Sequence, residues 1–208
     1  MTEAGVDAAA PVPRRRQILE ALARELESRP GARVTTARLA EVVGVSEAAL
    51  YRHFSSKARM FEALIEFAEE SVFGTLGRIV REEPAPIERV AYCTRVLLMF
   101  SERNPGITRV LLGDALVGEN DALRRRVDQL FERVETQLRQ ILREGGSDWV
   151  SGTVAESATV NALAALLLGV IEGRMRRYVR SGFARRPLEG WEAQWSMLRL
   201  LFEGRGGG

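Results

Sequence analysis

The 208-residue chain has one cysteine and one histidine, and each scarcity excludes a class of chemistry. Cys93 cannot form a disulfide within the chain, and its place in the apolar run 90–100 makes it a buried structural thiol. His53 has no cluster of Cys, His or carboxylate at ligand spacing around it, so no metal site is expected. A nucleophile–base pair and a Gly-rich phosphate loop are both missing, which argues against an enzyme and against a cofactor. The N-terminus lacks an apolar signal core, and no apolar stretch of 18 residues is read further on, so a soluble, cytoplasmic protein without a membrane segment is expected. Lys57 is the sole lysine among 30 basic residues, a bias that a GC-rich genome explains. The net charge of +2 is too small to announce nucleic-acid binding, so the placement of the charges has to carry that inference. Strand-type alternation is absent as well, and an all-α fold is expected.

What is present is helical periodicity. Residues 1–13 are rich in Ala and Pro and unpatterned, and read as a disordered arm. Arg14, Arg15 and Arg16 lead into a first stripe of Ile18, Leu19, Leu22, Ala23 and Leu26, stopped by Pro30 and Gly31. Thr35 or Thr36 caps a short second helix carrying Leu39, Ala40 and Val43 inward. Gly44 ends that helix and Ser46 caps a third, whose Leu50 and Phe54 point to the core. A long helix opens near Lys57 and runs to about Val80, before Pro84 and Pro86. Amphipathic stretches follow at 87–102, 107–117 and 122–144, then a loop at 145–152, a long apolar helix at 154–180 and a last short one at 188–202. The division expected is 1–13 arm, 14–56 DNA-binding domain, 57–203 helical dimerisation and partner-binding domain, and 204–208 flexible tail.

Two short helices joined by a tight glycine turn form a helix-turn-helix. The second must offer a slim outer face to enter a major groove about 12 Å wide. Ser46, Glu47, Ala48, Ala49 and Arg52 provide such a face: the hydroxyl and carboxylate suit base edges, the alanines suit close approach, and Arg52 suits guanine or phosphate. Thr35 and Thr36 suit phosphate contacts, and Tyr51, His53 and Lys57 are placed to clamp the flanking backbone. For His53, core packing stands as the alternative to a phosphate contact. The arginine run 14–16 reads as a phosphate or minor-groove contact beside the same motif. On 123–142, the residues Arg124, Arg125, Arg126, Glu132, Arg133, Glu135 and Arg139 form a charged helix face with i,i+4 pairs, or else a coiled-coil-like share of a dimer seam.

The stretch 35–61, TTARLAEVVGVSEAALYRHFSSKARMF, resembles the signature of the tetracycline-repressor (TetR) family, with Tyr51, Phe54 and Lys57 fitting its YxxF and following lysine. The resemblance implies a three-helix DNA-binding head, Lys57 at the start of the fourth helix, and an α-helical body that forms a homodimer through its last long helices. Residues 44–71, 101–144 and 172–187 are similar to the branch of this family that acts in nucleoid occlusion. That similarity implies a regulator of cell division that binds palindromic sites in double-stranded DNA across the nucleoid. Bound there, such a protein takes the C-terminal tail of the division GTPase FtsZ and antagonises its assembly. A partner groove is then expected around Phe67, which falls off the main stripe of its helix, with Val96, Met99, Arg103 and Asn104. Thr75 stands where a basic residue is expected on the same outer face. The competing function is a ligand-responsive repressor on the same scaffold, though residues 158–169 suit a filled core or dimer seam better than an effector pocket.

Overall fold

A computed structural model describes residues 13–29, 31–145 and 153–200 of the chain, with the side chains of 153–157 left out. The arm at 1–12, the stop at Pro30, most of the loop at 145–152 and the tail lie outside the described residues. Among those described the fold is all helical, with nine α-helices and one 3-10 turn.

Helix α1 (Arg14–Ser28) lays Ile18, Ala21, Leu22 and Leu26 into the core. Helix α2 (Thr36–Val43) is capped by Thr35, whose side chain accepts from the Arg38 N–H. Gly44 closes it in the left-handed conformation at φ 72°, and the Val45 N–H bonds back to the Ala40 carbonyl. A side chain would be strained there, and the reversal aims the next helix across the first. Helix α3 (Glu47–His53) begins at Ser46, which accepts from the Ala49 N–H, and it buries Leu50. Phe54, buried just beyond, anchors its far end.

Helix α4 (Lys57–Glu82) joins this head to the body and buries a continuous stripe from Met60 to Leu76. Helices α5 (Pro86–Arg103) and α6 (Pro105–Leu111) meet at Asn104. The amphipathic stretch expected at 107–117 is not one helix. It breaks at Leu112 and Gly113, where Gly113 takes φ 76°, and resumes as the 3-10 turn Asp114–Leu116. Helix α7 (Asp121–Glu144) and helix α8 (Thr153–Arg180) pack together, and α9 (Trp191–Arg199) closes the body with Trp191 and Trp195 buried. Cys93 is fully buried in α5 and its thiol is pushed up to about 12 by desolvation, in keeping with an inert structural residue.

Head and body interlock along α1 and α6. A Cβ on Gly106 would lie 2.0 Å from the Ala23 carbonyl oxygen, so only glycine permits this approach. One turn on, Arg109 is 2% exposed and donates to the carbonyls of Leu26 and Arg29 at 2.7 and 3.0 Å, while its Nε meets Asp114 at 2.5 Å. The guanidinium thus satisfies carbonyls at the end of α1 that the helix itself leaves unpaired.

The charged face of α7 is more than a solvated surface. Arg126 pairs with Glu69 of α4 at 2.7 Å, and the Arg133 guanidinium lies 3.9 Å from the centre of the Phe73 ring. One expectation needs correcting. An 18-residue window within Ala158–Arg180 is long and apolar enough, by length and composition, to cross a membrane. Only 33% of that window is buried within the protomer. Ala162, Ala165 and Gly169 line the exposed side of α8, beside Leu166.

Candidate nucleic-acid interface and partner surface

The outer face of the head is built by two caps. Thr35 and Ser46 each start a helix by accepting a backbone N–H, so Thr35, not Thr36, is the cap of α2. With Leu50 buried, α3 turns Ser46, Glu47, Ala48 and Arg52 outward, and Ala49 is partly exposed beside them.

Thr36 is committed elsewhere than expected: its hydroxyl donates to Glu47 Oε2 at 2.7 Å and receives the Tyr51 hydroxyl at 3.5 Å. The three residues tie the start of α2 to α3. Glu47 therefore has a partner within the head. His53 and Tyr51 are exposed, which removes core packing as an account of His53. The arginine run belongs to the first turn of α1, where Arg14 bonds Gln17, Arg16 pairs with Glu20, and Arg15 lies over the Phe54 ring at 4.6 Å.

Lys57 departs most from the simple picture of a free clamp. Its ammonium donates to Glu119 Oε1 at 2.7 Å and sits 5.5 Å from the centre of the Phe61 ring. The Lys57 side chain is 20% exposed and that of Glu119 10%. Arg33, from the turn before α2, reaches the same carboxylate at 3.8 Å and the Gly118 carbonyl at 3.4 Å.

The expected partner residues divide into two sets. Phe67 is 47% exposed and leans on Phe100 of α5, ring centres 6.4 Å apart. With Asn104 it borders a groove of about 490 Å³ whose other walls are Leu19 and Ala23 of α1, Leu64 of α4 and Ile107 of α6, with Arg16 and Glu20 at the rim. The Asn104 amide donates to the Phe100 carbonyl at 2.8 Å, so its side chain finishes α5 and does not cap α6. Val96, Met99 and Arg103 fall outside that groove, on the outer side of α5 at helical spacing with the exposed Tyr92. Thr75, short of the expected basic residue, donates to the Ser71 carbonyl at 2.9 Å.

Sequence reading missed the α1 wall of the groove, because Leu19 and Ala23 look like ordinary core positions; the structure leaves both only partly buried. It missed Glu119 and Arg33 too. Their partners lie 62 residues apart for Lys57–Glu119 and 85 for Arg33–Gly118, and no local pattern signals such pairs.

Comparison with known proteins accounts for head and body separately. Residues 18–64 match the family model described as "Bacterial regulatory proteins, tetR family", and residues 85–202 match the SlmA-like model "Tetracyclin repressor-like, C-terminal domain". The chain is 54% identical over 185 residues to "Nucleoid occlusion factor SlmA" of Marinomonas sp. (strain MWYL1), covering 89% of this chain and 92% of that protein. It is 55% identical over 187 residues to the protein of the same name from Vibrio atlanticus (strain LGP32), covering 89% and 93%. Among solved structures, the TetR family transcriptional regulator PfmR from Thermus thermophilus superposes with a TM-score of 0.71 at 21% identity, over 96% of this chain and 100% of that one. At that identity the likeness speaks for the fold alone.

Proposed function

The chain belongs to the tetracycline-repressor family, in its SlmA-like branch, and from that premise we propose that it is a DNA-bound nucleoid occlusion factor. In this reading a homodimer occupies palindromic sites on the chromosome, in the cytoplasm and on the nucleoid. There it captures the C-terminal tail of FtsZ and antagonises FtsZ assembly. The observation that carries the reading is the similarity of the body: residues 85–202 match the SlmA-like C-terminal model, where a head match alone would leave the function open.

The site supports it in chemical detail. Ser46, Glu47, Ala48, Ala49 and Arg52 read the major groove, with Glu47 held by Thr36 as an acceptor for a cytosine amino group. Thr35, Tyr51, His53 and Lys57 contact phosphates on either side. Two such heads reading half-sites a helical turn apart is the geometry of a symmetric dimer. The groove between α1, α4 and α6 is apolar at its floor and bordered by Phe67 and Asn104. A short peptide with apolar anchors fits it, and Arg103 and the outer face of α5 extend the contact for acidic groups.

A ligand-responsive repressor is the less supported reading. The cavity between α6, α7 and α8, about 390 Å³, has Arg124, Asp128, Glu132, Glu135, Glu172 and Arg176 in its wall. Leu111, Leu112, Leu116, Val127, Phe131 and Leu168 complete the wall, so the lining carries many more charged groups than the few polar ones usual in an effector pocket. Mapping bound sites across the chromosome separates the two. Many dispersed palindromes are expected; occupancy confined to one or two promoters would favour the repressor.

A further inference from the structure

The geometry points to Glu119, in the body, as a positioning residue that governs DNA binding by the head. It acts through Lys57: the carboxylate holds the ammonium in the free protein and must yield it to a DNA phosphate. The inference rests on Lys57 being a phosphate contact, and the test below separates the two.

Three observations carry it. The ion pair is short and mostly withdrawn from water, at 2.7 Å with side-chain exposures of 20% and 10%. It is therefore screened less than a surface pair and keeps Lys57 in one place. A second head cation, Arg33, lies 3.8 Å from the same carboxylate and bonds the neighbouring Gly118 carbonyl at 3.4 Å. Glu119 thus neutralises one of two positive charges gathered beside the recognition helix. Finally, the carboxylate sits on a short link, between the buried Leu116 and Asn120, the cap of α7. Leu116 holds one end of that link and the α7 cap the other, so the Glu119 side chain turns away without unpacking either helix.

The exchange is a competition between two anions for one ammonium. A phosphate arriving at Lys57 brings counterion release, which Glu119 cannot offer. Part of that gain is offset by the lost ion pair, so the wild-type head binds DNA more weakly than its cations alone would allow. The same exchange reports DNA occupancy to the body, since the link at 117–120 keeps only its Arg33 contacts to the head when Lys57 turns to the phosphate.

The test uses the full-length protein, a fluorescent duplex carrying its palindrome, and titrations at several salt concentrations. Three variants are compared with the wild type: Glu119→Gln, Lys57→Met and the double variant. Lys57→Met is expected to weaken binding and flatten the salt dependence. Glu119→Gln is expected to tighten binding roughly threefold to tenfold, the equivalent of one partly exposed ion pair, with a salt slope steeper by up to about one. In the Lys57→Met background the same change is expected to add little. Hydrogen exchange at 117–120 is expected to quicken on DNA binding in the wild type. If Glu119→Gln leaves affinity and slope unchanged while Lys57→Met weakens binding, the positioning role is overturned. It is equally overturned if the gain persists in full without Lys57, because a long-range charge effect would then explain it. If Lys57→Met itself has no effect, the phosphate contact falls first and the inference with it.

Discussion

At the scale of the residue, what a side chain is bonded to decides what it can do for DNA. Ala49 is the sharpest case. It sits partly exposed in the first turn of α3, its N–H already taken by Ser46. Ala49→Glu places a longer, anionic side chain where the helix has to meet the groove. Glutamate is a good helix former, so the melting temperature is expected to stay within a few degrees of the wild type. Operator binding is expected to fall by about 3 kcal/mol, on the order of a hundredfold. Normal binding by that variant would show that α3 is not the recognition helix. Much of this residue-scale picture is readable in the sequence, because capping is local chemistry: Ser46 and Gly44 announce the turn by type and spacing alone. Thr36 and Lys57 are where such reading falls short. A threonine beside a cap looks like a second cap, and a lone lysine beside a DNA-binding motif looks free. Only the fold brings Glu47 to the one and Glu119 to the other.

Between elements, the decisive contact is the crossing of α1 and α6. Gly106 allows the Ala23 backbone to close on α6, and Arg109 then finishes α1 from the body side. The head is thereby set on the body at one angle, an arrangement suited to a protein whose proposed partner groove is formed by α1, α4 and α6 together. Gly106→Ala would bring a methyl group 2.0 Å from the Ala23 oxygen, and backbone on both sides must move. The expected cost is about 3 kcal/mol, read as a lowered urea midpoint with an unchanged slope, together with weaker operator binding. A neutral substitution would mean that α1 and α6 are not held this closely. Helix existence along the chain follows from periodicity, so the α-helices other than α6 are anticipated to within a few residues. The break at Gly113 is not, since Ile107 to Val117 stays apolar across it and periodicity alone does not register a left-handed glycine. Arg109 is hidden for a related reason: arginine is assigned to solvent by default, and its burial depends on carbonyls 80 and 83 residues away.

For the whole molecule, the described residues leave an apolar face open on α8. Its outer side is apolar yet lined by Ala162, Ala165 and Gly169, the residues that let two helices approach closely, and a second protomer is the occupant we propose. Within one protomer a Cβ on Gly169 meets nothing within 4 Å. Gly169→Arg is therefore expected to leave the protomer folded by circular dichroism but to halve the mass by sedimentation equilibrium. Operator affinity is expected to fall with it, since two linked half-sites become one. A dimer of wild-type mass in that variant would place the seam elsewhere.

The central claim is that DNA occupancy and division control meet in one molecule. It is tested most directly by sedimenting FtsZ polymers with the protein in the presence and absence of its palindromic duplex, using Phe67→Asp as a control that spares the DNA face. Loss of pelleted FtsZ is expected with specific DNA, with little loss without it and little with the Phe67→Asp variant on the same DNA. Polymer levels that do not respond to the protein on specific DNA would contradict the account.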